Sequence, residues 1–405
     1  MTKFSSWNYK RLARLSTSMN NTKAIWLDVD PGHDDATAMM LALNLPDIRL
    51  LGISTVHGNA SSHHTAMNAA RCLFAFGGDE LEHKVLVYPG ASHPFILPAR
   101  HDPEIHGPDG LGGVEGLPSV DEPKVQALIA RDEEGQVIRA LEGMAGHIKR
   151  FWNDEKNNGE LKEKVTIVSC GPMTNLALFI SVYPELLEAV EKFVFMGGGV
   201  GLGNRSAVAE FNILCDPHAA QIVLDAPVPT VMIPLNVTHT AIFTREIHLR
   251  LLSPDFPHSN HLSGSSIPLP LPQPATPLRH TLSTLITFFS SSYVSTFGSQ
   301  FASGPPLHDA LTIAYVAFPE LFPEKKRYRV DVEMSGVHTM GETVVDLYGY
   351  RDGEWNKFDD NDRQNWGREG KNCIVVQALN VDKFFDIFLD CVTRCDTISP
   401  LNKGV

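Results

Sequence analysis

The sequence predicts an α/β fold, a single domain on an open, mostly parallel, Rossmann-like sheet flanked by helices. Apolar runs the length of buried strands recur, among them "KAIWLDVD", "KVTIVSC" and "EKFVFM". The first two lead into a Gly-Pro or Pro-Gly turn and then a helical pattern, as in "PGHDDATAMMLALNL" and "GPMTNLALFI". Strands alternating with helices at this spacing imply parallel pairing through crossovers. With 405 residues, 43% of them hydrophobic, the chain can bury a sizeable core.

Each element follows from local pattern. "KAIWLDVD" reads as the first strand, Pro31-Gly32 as a turn, and "DDATAMMLALNL" as a helix starting at the second acid pair. "IRLLGISTVHGNA" is a strand running into a polar loop, and "HHTAMNAARCLFAFGG" a helix stopped by two glycines. "HKVLVYPGA" is a further strand. Residues 95–124 read as loop, rich in Gly, Pro and His, and a helix is expected over Gln136–Trp152. "EKVTIVSCGPMTNLALFI" repeats the opening strand, turn and helix. "EKFVFMGGG" and "APVPTVMIPLNVTH" supply strands ending in Gly-rich or polar loops. A helix is expected over Leu282–Phe301, then "GPPLHDALTIAYVAF". The strands "RYRVDVEMSG" and "NCIVVQALN" and a helix containing "VDKFFDIFLDCVTR" complete the chain.

Two segments stand outside the domain, which spans residues 23–398. Residues 1–22 form a basic leader with Lys3, Lys10, Arg11 and Arg14, and no acid occurs before Asp28. That composition is shared by mitochondrial transit peptides and by disordered leaders, and Met19 offers an alternative start. Residues 253–279 form a Ser/Pro-rich insertion whose "PLPLPQP" cannot continue a helix or central strand. It reads as a disordered surface loop, or as a docking site for an SH3-like partner.

The net charge of −13 argues against nucleic-acid or membrane-surface partners, which favour basic patches. No apolar run has the roughly 18 residues of a membrane-spanning helix. Six cysteines without a C-x-x-C pair read as reduced thiols of a cytoplasmic protein.

Ligands of an open α/β sheet bind beyond the carboxyl ends of its strands. Those ends carry Asp28, Asp30, Asp34 and Asp35, then His57 to Asn59, Cys170 to Pro172, residues 197–212, Asn236, and His308-Asp309. Acids and amides dominate, which suits a hard cation and a neutral polyol better than a phosphate. Zinc spacing is absent. An EF-hand begun at Asp28 fails, with His33 at its glycine position and Met39 at its glutamate. "MGGGVGLGN" does not complete G-x-G-x-x-G, and neither a phosphate-binding P-loop nor a G-x-S-x-G elbow occurs. Tyr293 and Phe297, four apart on an expected helix, are placed to stack on a base or to pack in the core.

"LDVDPGHDDATAMMLAL" closely resembles the amino-terminal signature of the nucleoside hydrolases. "TVHGNAS", "SCGPMTNLA", "FMGGGVGLGNRSAVAEFNILCDPHAA" and "HDALTIAY" follow in that family's order, from Lys23 to Cys395 apart from the insertion. The resemblance implies hydrolysis of a ribonucleoside's N-glycosidic bond, and the presence of both His106 and His308 points to uridine as the substrate, with inosine and cytidine as further ones. It implies one bound Ca²⁺ held by Asp30, Asp35, Asp309 and the Cys170 carbonyl, Cys standing where Thr is common. It makes Asp30 the base that activates water and His308 the acid that helps the base leave. It assigns Asp34, Asn59, His106, Asn204, Glu210 and Asn212 to substrate, and implies a homo-oligomer, dimer or tetramer. The competing readings are a non-catalytic nucleoside- or ribose-binding protein and a Mg²⁺-dependent phosphatase.

Overall fold

The computed structural model describes residues 22–78, 85–154, 162–255, 271–350, 366–368 and 370–403. The leader up to residue 21 and residues 256–270 of the insertion lie outside them. Nine strands form one sheet: β1 (Lys23–Val29), β2 (Ile48–Thr55), β3 (Val87–Pro89), β4 (Val165–Ser169), β5 (Val190–Met196), β6 (Thr230–Ile233), β7 (Lys325–Val332), β8 (Thr343–Asp346) and β9 (Cys373–Val376). Their order across the sheet is β3-β2-β1-β4-β5-β6-β9-β7-β8. The seven from β3 to β9 pair in parallel, and β7 and β8 add an antiparallel edge.

Helices cover both faces, so the central strands are buried on both sides and read as near-continuous apolar runs. One face packs under α1 (His33–Asn44), α2 (Ser62–Gly77), α6 (Pro277–Phe297), α7 (Ala310–Ala317) and α8 (Val381–Ile398). The other packs under α3 (Ala140–Asn153), α4 (Thr174–Val182) and α5 (Pro217–Leu224). Trp26 of β1 is wholly buried and donates from its indole to Ser54 Oγ at 2.8 Å. Its ring lies where a side chain of Gly52 would stand, since a Cβ there would meet Trp26 at 2.4 Å.

After β1 the chain moves outward through β2 and β3, then returns to lay β4 on the opposite side of β1. This reversal is the switch point at which α/β sheets open a ligand crevice. It sets the carboxyl ends of β1, β2 and β4 side by side, with Asp28 in register with Ser54 and Ser169.

Several boundaries differ from the sequence expectation. α6 begins at Pro277, inside the segment assigned to the insertion, because Thr276 caps it by accepting from the Arg279 amide at 3.2 Å. It ends at Phe297, where Gly298 takes a φ of 85°. α3 starts at Ala140, and β8 has no counterpart in the expected elements. The expected loop over 95–124 holds two short helices, Pro103–His106 and Pro123–Gln126.

Arg279 ties α6 to α8. It is 1% exposed, donates from Nε to Asp396 at 2.6 Å, and reaches the Leu251 carbonyl and Thr393. Removing one partner of a buried ion pair costs about 3–5 kcal/mol. Arg279→Ala is therefore expected to lower stability by about 3 kcal/mol, discounted for the partial exposure of Asp396, in urea unfolding. A loss under about 1 kcal/mol would mean that the pair does not hold these helices together.

Candidate active site

The site begins with an apolar strand that ends in acid. Asp28, the sixth residue of β1, is fully buried and accepts at Oδ1 from Ser54 Oγ and from Asn175 Nδ2 at 2.8 Å. Asn175 also bonds the Thr55 carbonyl and the Ala91 amide, so Asp28 braces the three strand ends from beneath. Pro31 and Gly32 turn the chain into α1. Asp35 in the first turn accepts from the amides of Asp30 at 3.1 Å and Gly32 at 2.9 Å, closing that turn.

Asp30 is packed among backbone. Its Oδ2 accepts from the Asn59 amide at 2.8 Å, while Asn59 Nδ2 spans the Asp30 carbonyl and Asp35 Oδ2, each at 3.1 Å. Gly58 and Gly171 press against the same carboxylate. A Cβ on Gly171 would stand 2.4 Å from Asp30 Oδ1, so any larger residue would displace it.

Carboxylate oxygens of Asp34, Asp35 and Asp309 lie within 4.8 Å of one another, all buried. Asp309 arrives from the start of α7 and sets its carboxylate against those of Asp34 and Asp35. Two carboxylates about 4 Å apart repel by ~4 kcal/mol at an effective dielectric of about 20. Without a cation, protons must therefore be shared within the group. Burial pushes Asp28 up from an ordinary 3.8 to about 7 and Asp35 to about 6. Burial first, and then neighbouring carboxylates, hold Asp30, Asp34 and Asp309 well above that ordinary value.

Above the acids lies a cavity. Its polar lining is Asp34, Asp309, Asn59, Asn204, Glu210 and Asn212. Glu210 accepts from the amides of Gly198, Asn212 and Ile213 at 2.9–3.2 Å, which fixes its carboxylate. Asn212 donates to the Cys170 carbonyl at 2.8 Å, and Asn204 accepts from the Phe211 amide at 2.9 Å. Its aromatic lining includes a cluster of Phe289, Tyr293, His106 and His308. Tyr293 OH lies 2.5 Å from His308 Nε2, and His308 Nδ1 lies 2.7 Å from Thr238 Oγ1. Burial holds His308 well below its ordinary 6.5, so the ring is neutral at pH 7.

The structure thus brings ten of the eleven site residues singled out in the sequence to the cavity or the acid trio: Asp34, Asp35, Asn59, His106, Cys170, Asn204, Glu210, Asn212, His308 and Asp309. Asp30 lies beneath, outside that trio, with Oδ1 buried. Tyr293 lines the cavity, whereas Phe297 lines a neighbouring outer cavity. The sequence did not reveal Arg205 and Asp102, an ion pair in the wall between the two cavities. Arg205 also lies over the rings of Phe211 and Phe297, at 5.3 and 5.7 Å. Its only signal was its place beside Asn204.

Residues 25–386 match the family of the inosine-uridine preferring nucleoside hydrolases. The chain belongs to that family. It is 34% identical over 371 residues to a probable ribonucleoside hydrolase of Dictyostelium discoideum, covering 92% of this chain and 94% of that one. It is 36% identical over 324 residues to the pyrimidine-specific ribonucleoside hydrolase RihA of Escherichia coli, covering 80% and 88%. Among solved structures, the purine-preferring ribonucleoside hydrolase of Gardnerella vaginalis superposes with a TM-score of 0.70 at 26% identity, over 93% of this chain and 100% of that one. This nucleoside hydrolase therefore acts on an N-glycosyl bond.

Nucleoside hydrolases are metal-dependent, and the acids of this one suit a cation. Asp30 Oδ1 and Asp34 Oδ1 are buried and accept no hydrogen bond from any described residue. Every donor in the group is oxygen, the chemistry of a hard divalent ion.

A carboxyl whose folded pKa exceeds its unfolded one binds more protons folded, so stability falls as pH rises between the two. For Asp35 and Asp28 that window runs from 3.8 to about 6 and about 7. Stripped of divalent ions, the nucleoside hydrolase is expected to melt at a lower temperature as pH rises across this window. An added divalent cation should raise the melting temperature by more at the upper end than at the lower. Circular-dichroism melts with chelator and with cation check this. A cation increment that shrinks with rising pH would contradict it.

Proposed function

We propose that this enzyme hydrolyses pyrimidine ribonucleosides, uridine foremost, to ribose and free base, with Ca²⁺ as its cation. One observation carries the reading: the cavity's lining joins a polar, acidic group to a cluster of aromatic rings, as a sugar joined to a base requires. The pyrimidine preference draws on the RihA relatives, which are named pyrimidine-specific, and on the two histidines that line the cavity, His106 and His308.

Asp30, Asp35, Asp309 and the Cys170 carbonyl would hold the ion, with Asp34 beside it. A bound Ca²⁺ supplies charge that favours ionised carboxylates and a more acidic water. Asn59, Asn204, Glu210, Asn212 and Asp34 hold the ribose hydroxyls, each side chain being oriented by hydrogen bonds or by the acid cluster. Asp30 Oδ1, free of internal partners, takes the proton of the attacking water. The water's oxygen bonds to C1′ as the C1′–N bond breaks, and that bond's electron pair leaves with the base. The transition state resembles an oxocarbenium ion, which the surrounding carboxylates stabilise. Tyr293 and His308, in contact at 2.5 Å, deliver the proton that the base takes up. Phe289 and Ile105 pack against the base and keep water from that end.

Ribose release from uridine, cytidine and inosine, and phosphate release from a phosphate ester, are the assays. Ribose is expected from the pyrimidine nucleosides, with chelator suppressing it and Ca²⁺ restoring it. Phosphate release without ribose would overturn the reading. Asp30→Asn is expected to lower kcat by at least about 10²-fold with an unchanged circular-dichroism spectrum. Near-normal turnover in that variant would remove Asp30 from its role as base.

A further inference from the structure

Beside the active cavity lies a second, outer cavity of about 460 Å³. The two share Asp102, Asn204, Arg205 and Phe211, which therefore form the partition between them. Arg205 is bonded twice within that partition. Its Nη2 pairs with Asp102 Oδ2, and its Nη1 donates to the Asn204 carbonyl at 2.6 Å. A guanidinium holds its donors in a rigid planar fork, so two such bonds fix the plane of the group. That group lies 5.3 Å from the ring centre of Phe211 and 5.7 Å from that of Phe297, which lines the outer cavity but not the active one.

Asp102 is anchored in turn. It is 5% exposed, its amide donates to the Asn59 carbonyl at 3.1 Å, and its carbonyl accepts from the His106 amide at 2.9 Å. The amides of Asn204 and Arg205 both donate to the Ala209 carbonyl, each at 3.1 Å. The ion pair therefore ties the segment of Asn59 to that of Asn204, two of the side chains assigned above to the sugar. It is a costly way to fill space, since an apolar side chain of similar volume would lose no hydration of charge. What the pair provides instead is a wall fixed at both edges by hydrogen bonds.

We propose that Arg205, held by Asp102, is a specificity-determining residue: it shuts the active cavity off from the outer one, so that the enzyme takes nucleosides with an unextended ribose and rejects those substituted on the hydroxymethyl arm. The inference rests on the nucleoside-hydrolase reading of the cavity given above. Asn204 belongs both to the ribose-holding group and to the partition, so the sugar lies against the partition. The hydroxymethyl arm is the one sugar carbon outside the ring, and a substituent on it extends the sugar without distorting that ring. With Arg205 in place such a substituent meets a fixed wall, and rejection comes from a built clash. Truncating Arg205 joins the two cavities. The outer one then offers room and the ring of Phe297 to a neutral arene.

Uracil release from uridine and from 5′-O-benzyluridine tests it. The wild-type chain should cleave the benzyl compound with a kcat/KM about 10²-fold or more below that for uridine. Arg205→Ala should raise kcat/KM on the benzyl compound by about 10-fold or more while lowering it on uridine, whereas a merely structural role would lower both. Arg205→Met, which refills the partition without the charge, should still reject the benzyl compound. Arg205→Ala strands a buried carboxylate, so the double variant Arg205→Ala with Asp102→Asn is measured beside it and should show the same gain. No gain in either variant, an equal gain in Arg205→Met, or a wild type that cleaves both compounds alike would overturn the proposal. A wild type inactive on uridine would refute the function proposed above. Calorimetry with methyl β-D-ribofuranoside and its 5-O-benzyl derivative, in the presence of Ca²⁺, would still decide the partition. The derivative should bind the Arg205→Ala chain and not the wild type, and binding to both or to neither would overturn the proposal.

Discussion

Everything in this site is arranged around carboxyl groups that have been taken out of water and set against one another. Asp30, Asp34, Asp35 and Asp309 are all buried, and burial together with mutual repulsion disfavours their ionised forms. A protein core would ordinarily exclude such a group. Here the surrounding chain is built to hold it. The amides of Asp30 and Gly32 cap Asp35, the Asn59 amide holds Asp30, and Gly58 and Gly171 leave room for the Asp30 carboxylate. The stored repulsion is released when a cation enters, and for that reason the same residues can be unfavourable for metal-free stability and favourable for function.

Topology delivers these acids to one place. Because β4 returns beside β1 after the excursion through β2 and β3, the strand ends that carry Asp28, Asn59 and Cys170 become neighbours. Asp309 comes from far along the chain, on the buried α7, whose residues pack against α1. The apolar residues of β1 and α7 therefore serve the chemistry indirectly, fixing the separations on which both repulsion and cation binding depend. The aromatic cluster is carried by α6, His308 and the loop around His106, and α1 joins it to the acids. Its first turn holds Asp34 and Asp35 on one side and meets His106 on the other.

Much of this was legible in the sequence. The parallel strands announced themselves as apolar runs before Gly-Pro turns, and the acid cluster as four aspartates closely spaced after one such run. Those signals are local in the chain. The antiparallel edge of β7 and β8 was not legible, because strand direction depends on pairing partners, and β8 is a short half-exposed segment without a strong pattern. The start of α6 was hidden by prolines, one of which, Pro277, sits at the first helical position where proline is favoured. Arg205, Asp102 and the contact of His33 with His106 were invisible for another reason. Each joins residues 73 or more apart, and no spacing rule connects them.

The central claim is that the buried carboxyl groups hold protons until a divalent cation displaces them. Calorimetric titration of the metal-stripped protein with Ca²⁺ at pH 6, in two buffers of different ionisation enthalpy, measures that directly. Binding is predicted to release protons, so the observed heat should differ between the buffers, with fewer protons released as pH rises. Tight binding with the same heat in both buffers would contradict the account, as would a failure to bind at all.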